Sequence, residues 1–116
     1  FYSVLGYVND GENATRLRYL SEAGLSVVAP SDEDQAGIVM PLIYDRIKRN
    51  LPYDPAELLD LAQRMHENGC DAVIVGCTEL SVVYQDLAVK PSYLIDAMDV
   101  LADRCVSYYL EHHRDA

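Results

Sequence analysis

The chain has 116 residues, half of them hydrophobic, which is enough for one compact domain with a sizeable core. Nine Lys and Arg against 19 Asp and Glu give a formal charge of −10. That balance argues against nucleic acid or an anionic membrane as a partner, because both demand clustered positive charge. Three cysteines, an odd count, speak for thiols in a reducing cytoplasm rather than a disulfide scaffold. No apolar run reaches the roughly 18 residues that a membrane span needs.

The opening residues, Phe1-Tyr2-Ser3-Val4-Leu5-Gly6, carry no basic leader and no small-residue cleavage site. They read as a strand already under way, as if the chain began inside a larger protein. A first strand is expected over 3–7. Asn9-Asp10-Gly11 is turn chemistry, and Asp10 or Asn13 can cap a helix with Leu17, Leu20 and Ala23 on one face, stopped by Gly24 at C′. Residues 25–28 form a second expected strand, ended by Pro30. Ser31-Asp32-Glu33-Asp34 supplies a cap and first-turn acids for the next helix. There Ile38, Val39, Leu42, Ile43 and Ile47 recur at three and four, and Pro41 predicts a kink or two shorter helices.

A loop over 50–55 leads to a helix capped by Asp54, with Pro55 in its first turn and Leu58, Leu59, Ala62 and Met65 as its stripe. Gly69 ends it. Asp71-Ala72-Val73-Ile74-Val75 predicts a central parallel strand buried on both faces. A short helix over 79–84 and a last short strand over 92–95 follow. The final helix, 97–112, presents Leu101, Cys105, Val106, Tyr109 and Leu110 as an apolar face, which places Cys105 in the core. Alternating strands and helices predict an α/β fold, a three-layer sandwich on a short, mostly parallel four-stranded sheet. Ligands bind such sheets at the carboxyl ends of the strands, here residues 7–11, 29–32 and 76–79.

Cys77 stands where the central strand ends and a helix begins. Unpaired N–H groups and the positive end of the helix dipole favour its thiolate there, below the free value of about 8.5. The alternative is a buried cysteine acting as a small hydrophobe. Thr78 offers a hydroxyl and an N–H to an anion at the same helix start. Cys70 begins the same strand, roughly 20 Å away at about 3.3 Å per residue, so it cannot pair with Cys77. No Cys or His spacing fits a metal. His66 reads as a helix-end cation, and His112 and His113 as solvated tail. Lys48 and Arg49 close the second helix in the same dipole-complementing way.

The segment DAVIVGCTEL, residues 71–80, resembles the second cysteine motif of the aspartate/glutamate racemase superfamily. The opening SVLGY, VVAPSDEDQ after the second strand, IYDRIKRN in the next helix and Ile95-Asp96 extend the likeness to almost the whole chain. Glu79 after Cys77-Thr78 resembles the aspartate or broad-specificity branch more than the glutamate branch, which usually has His there. The resemblance implies a flavodoxin/Rossmann-like half of a two-domain racemase, with 1–95 as the C-terminal α/β domain and the helix in 96–116 packing toward an N-terminal domain. It implies a cofactor-independent, two-base, homodimeric enzyme acting on an amino acid, in keeping with the cytoplasmic location and the lack of a metal site read from the cysteines. Cys77 is then one acid/base, and the other cysteine belongs to the N-terminal half. Thr78, Glu79, Asn9 and Lys48 are the implied substrate-binding residues, Lys48 toward an acidic side chain.

Family members commonly carry a threonine-containing loop after the first strand, whereas this chain has Tyr7-Val8-Asn9-Asp10-Gly11-Glu12. Asn9 can donate to a substrate, while Asp10 repels a carboxylate, which points away from strict aspartate or glutamate specificity. The other readings are a non-catalytic module that binds a small anion or assembles with a partner domain, and a superfamily isomerase or decarboxylase using the same cysteine position. A receiver-like signalling domain needs an Asp where Cys77 stands.

Overall fold

The computed structural model describes residues 2–5 and 20–113. Strand β1 is Tyr2–Leu5. Helix α1 covers 32–47: an α-turn over Asp32–Asp34 continues as π-helix over Gln35–Val39 and Pro41–Ile47. Then come α2 (Ala56–Glu67), β2 (Ala72–Val75), α3 (Thr78–Gln85), β3 (Leu94–Asp96) and α4 (Ala97–His113). The three strands form one parallel sheet in the order β1-β2-β3. The helix turn and loop expected within 7–19, and Asn9 with them, lie outside the described residues.

Short-range chemistry places most boundaries. The Ser31 hydroxyl accepts from the Asp34 N–H at 3.1 Å and opens α1 beside three first-turn acids. The Asp54 carboxylate accepts from the Ala56 N–H at 3.0 Å and does the same for α2. Gly24 and Gly69 take positive φ, as expected at C′. Asn50, with φ 55°, closes α1 in the same way: the Leu51 N–H reaches back to the Arg46 carbonyl at 2.8 Å.

Pro41 does not break α1. The helix widens instead: Met40 N–H bonds to Gln35 O and Lys48 N–H to Ile43 O, each five residues back. In an α-turn the proline ring meets the carbonyl four residues earlier, and the wider winding relieves that clash. Val39, Leu42 and Ile43 still reach the core, where they join Leu58, Leu61 and Val73.

Register sorts the sheet into rows. Ser3, Val73 and Leu94 form one buried row, and Leu5, Val75 and Asp96 a second on the same face. Between them Val4, Ile74 and Ile95 point to the opposite face and are half-buried. β2 is buried on one face through Val73 and Val75 and on the other through Ala72, with Ile74 half-buried.

The sheet, expected with four strands, has three among the described residues, and two further expectations change with it. Residues 25–28, expected as a strand, are reduced to an isolated bridge at Val27, in a short run hemmed by Gly24 and by Pro30, which has no N–H. Cys105, expected in the core, is exposed, and no residue of α4 is buried. α4 packs on β3 and on one side of α3, and this leaves every residue of it exposed.

Candidate functional site

The carboxyl ends of the three strands meet at Leu5, Val75 and Asp96, which are register partners. β2 leaves that edge through Gly76, whose N–H donates to the Leu5 carbonyl at 2.8 Å. Cys77 follows in extended conformation (φ −137°, ψ 156°) as the N-cap of α3, and it is 8% exposed. A thiol there stands beside the first N–H groups of an eight-residue helix, which is where a thiolate is favoured electrostatically.

Ser81 lies one turn along α3. Its N–H donates to the Cys77 carbonyl at 3.1 Å, and its hydroxyl reaches the same oxygen at 3.2 Å. The hydroxyl also contacts Asp96 Oδ1 at 2.6 Å, a charge-assisted length. Asp96 is 2% exposed, and its Oδ2 meets no donor among the described residues. Cys77, Ser81 and Asp96 thus form one buried polar chain from α3 to the end of β3. Neither Ser81 nor the role of Asp96 was evident from the sequence. The available signal was Ser81 four residues after Cys77, the spacing at which a helical side chain returns to a carbonyl.

Thr78 and Glu79 start α3 beside Cys77, with the Thr78 hydroxyl donating to Glu79 Oε2 at 3.1 Å. Lys48, at the end of α1, brings its Nζ to 4.0 Å from Glu79 Oε1 and to 4.9 Å from the centre of the Tyr44 ring. The fold therefore brings Cys77, Thr78, Glu79 and Lys48 to one neighbourhood, although they come from two separate helices. A cleft of about 380 Å³ opens between α3 and α4, lined by Thr78, Ser81, Gln85, Asp96 and Asp99 together with apolar Val82 and Met98.

Cys70 lies at the opposite end of β2, buried, with its thiol pushed up by desolvation. His66 does more than complement a helix end: its Nδ1 lies 2.7 Å from the Cys70 carbonyl, and its ring stacks on Tyr93 at 4.0 Å. Both stand at the amino end of the strand, away from Cys77. Among the described residues no His, Cys, Asp and Glu side chains gather as three or more around a metal position.

A parallel sheet with a cysteine at a strand-to-helix junction defines an α/β domain whose candidate site lies at the carboxyl ends of its strands. The sequence profile of the Asp/Glu/Hydantoin racemase family matches residues 2–105, and the chain belongs to that family. It is 29% identical over 85 residues to an uncharacterised protein from the pnlA 3′ region of Pectobacterium carotovorum subsp. carotovorum, covering 72% of this chain and 56% of that protein. Its fold is similar to the crystal structure of a Yersinia pestis protein assigned as an Asp/Glu racemase, with a TM-score of 0.69 and 22% identity over 94% of this chain and 48% of that one. The chain spans about half the length of these relatives. Among the described residues no helix is long and apolar enough to cross a membrane.

Proposed function

We propose that this chain is the C-terminal, second-cysteine domain of a cofactor-independent amino-acid racemase of the aspartate/glutamate type. The observation that supports it best is Cys77 as N-cap of α3 at the carboxyl end of the central strand, in a chain of this family. In the forward direction the Cys77 thiolate takes the α-proton from one face of the amino acid. The electron pair stays on the substrate as a carboxylate-stabilised carbanion, and a thiol on the N-terminal half returns a proton to the other face. In the reverse direction the two sulfurs exchange roles.

An amino-acid α-proton is far less acidic than a thiol, so a thiolate alone is a poor match for it. The site must stabilise the negative charge that develops on the carboxylate, away from water. The N–H groups at the start of α3 and the Thr78 hydroxyl suit that task. Lys48 and Glu79 stand where a substrate side chain is read, and Asn9 joins them in this proposal as a donor. The helix in 96–116 packs toward the N-terminal half, and the assembled cytoplasmic enzyme is a homodimer.

The test is proton NMR of α-hydrogen exchange in D2O, with both enantiomers of aspartate, glutamate and several neutral amino acids. Exchange is expected from the chain joined to its N-terminal half and is lost in Cys77→Ala. Exchange that survives Cys77→Ala removes Cys77 from the chemistry. Binding without exchange for any substrate replaces the racemase with an anion-binding module of the same fold, and turnover without racemisation points to a superfamily isomerase or decarboxylase.

A further inference from the structure

We propose that Ser81 and Asp96 are positioning residues for Cys77, a role that rests on Cys77 being the acid/base described above. The Cys77 carbonyl accepts from both the N–H and the hydroxyl of Ser81, at 3.1 and 3.2 Å. The same hydroxyl lies 2.6 Å from Asp96 Oδ1. A hydroxyl has one proton and here faces two acceptors. Either it is shared between them, or it goes to the Asp96 carboxylate while the Ser81 N–H alone holds the Cys77 carbonyl. Both arrangements tie the Cys77 peptide to the end of β3.

The tie is stiff because its far end belongs to the sheet. Asp96 is the register partner of Val75, two residues before Cys77. The peptide that carries the thiol is thus held by the sheet through its own strand and again through Ser81. Rotating Cys77 about its backbone breaks the second hold. Asp96 is also a costly way to fill space, being 2% exposed with Oδ2 lacking a donor among the described residues. A buried carboxylate that is only half satisfied destabilises the fold, and a small apolar side chain fills the position at less cost. Its use lies in what Oδ1 holds. A thiolate that must meet an α-proton within about 3–3.5 Å is sensitive to such a hold, since a displacement of about 1 Å can cost on the order of 100-fold in rate.

The test compares Ser81→Ala, Ser81→Thr and Asp96→Ala in the full-length protein that carries this chain. Iodoacetamide labelling of Cys77 is followed by peptide mass spectrometry, beside thermal melting and kcat and KM for α-proton exchange. Ser81→Ala and Asp96→Ala are expected to change the Cys77 labelling rate about five-fold or more, and to lower kcat about ten-fold or more with KM within about two-fold. Ser81→Thr keeps the hydroxyl and is expected to restore the labelling rate. Variants that melt lower yet label Cys77 at the wild-type rate overturn the proposal and leave a purely structural link. If Asp96→Ala does not fold, the Ser81→Ala and Ser81→Thr pair decides. Labelling needs no turnover, so an altered rate in a protein that racemises nothing leaves the positioning in place and removes the racemase reading.

Discussion

Lys48 Nζ lies 4.0 Å from Glu79 Oε1, so the last turn of the wide helix α1 meets the first turn of α3 beside Cys77. The Lys48 side chain is 43% exposed, and an ion pair of that kind contributes about 0–1 kcal/mol to stability. In the proposed function it serves recognition instead. Lys48→Met is expected to raise KM for an acidic amino acid about ten-fold and to leave KM for neutral ones within about two-fold. Steady-state kinetics on both classes checks this, and equal changes for the two classes count against a side-chain role.

The Tyr53 hydroxyl donates to the Asp86 carboxylate, joining the loop before α2 to the end of α3. That bond, helped by partial burial and the Asp86 charge, pushes the Tyr53 phenol from 10.0 up to about 12. Only the neutral phenol donates. The folded-state value is the higher one, so the stabilisation is complete below about pH 10 and is lost as pH rises from about 10 to about 12. Tyr53→Phe is expected to cost about 1 kcal/mol at neutral pH. Urea titrations at stepped pH should show wild type converging on the variant across that alkaline window, whereas parallel curves contradict the bond.

Leu61 is fully buried in the core, while Val106 on α4 is 58% exposed. Leu61→Ala is expected to destabilise the chain by about 2–5 kcal/mol through the lost transfer energy and the cavity left behind. Val106→Asn is expected to stay within about 0.5 kcal/mol. Denaturant midpoints separate the two. A large loss for Val106→Asn in this chain means that another surface covers that side of α4.

The thiols away from the site differ in their surroundings. Cys105 is exposed, whereas Cys70 is buried with its thiol raised by desolvation. At neutral pH iodoacetamide is expected to label Cys105 well before Cys70, since raising a thiol's pKa lowers its thiolate fraction. Time-resolved peptide mapping reads the order, and early labelling of Cys70 means that its strand end opens.

Local chemistry carried much of this fold. The Ser31 cap, the Asp54 cap, the left-handed closures at Gly24 and Gly69 and the apolar run before Cys77 each depend on residues within a few positions of one another. The same holds for Cys77 at a strand-to-helix junction, with Thr78 and Glu79 beside it. Helical periodicity misled at α4, because a stripe records which residues share a face and not whether another element reaches that face. Pro41 likewise announced a disturbance in α1, but whether the chain kinks or widens depends on the core that Val39, Leu42 and Ile43 must reach.

Among the described residues the sequence by itself determined the order of β1, β2, β3 and the helices between and after them, the caps at Ser31 and Asp54 and the cysteine that opens α3, but not the strand expected at 25–28, since the former follow from contacts a turn or two apart. Only the tertiary structure decided that Lys48 stands by Glu79 and that Ser81 links Cys77 to Asp96. Those pairs join residues 31 and 15 positions apart, and they form only when parallel register sets Asp96 beside Val75 and packing sets α1 against α3. Register and packing are settled by the whole core at once, and no short stretch of residues encodes them.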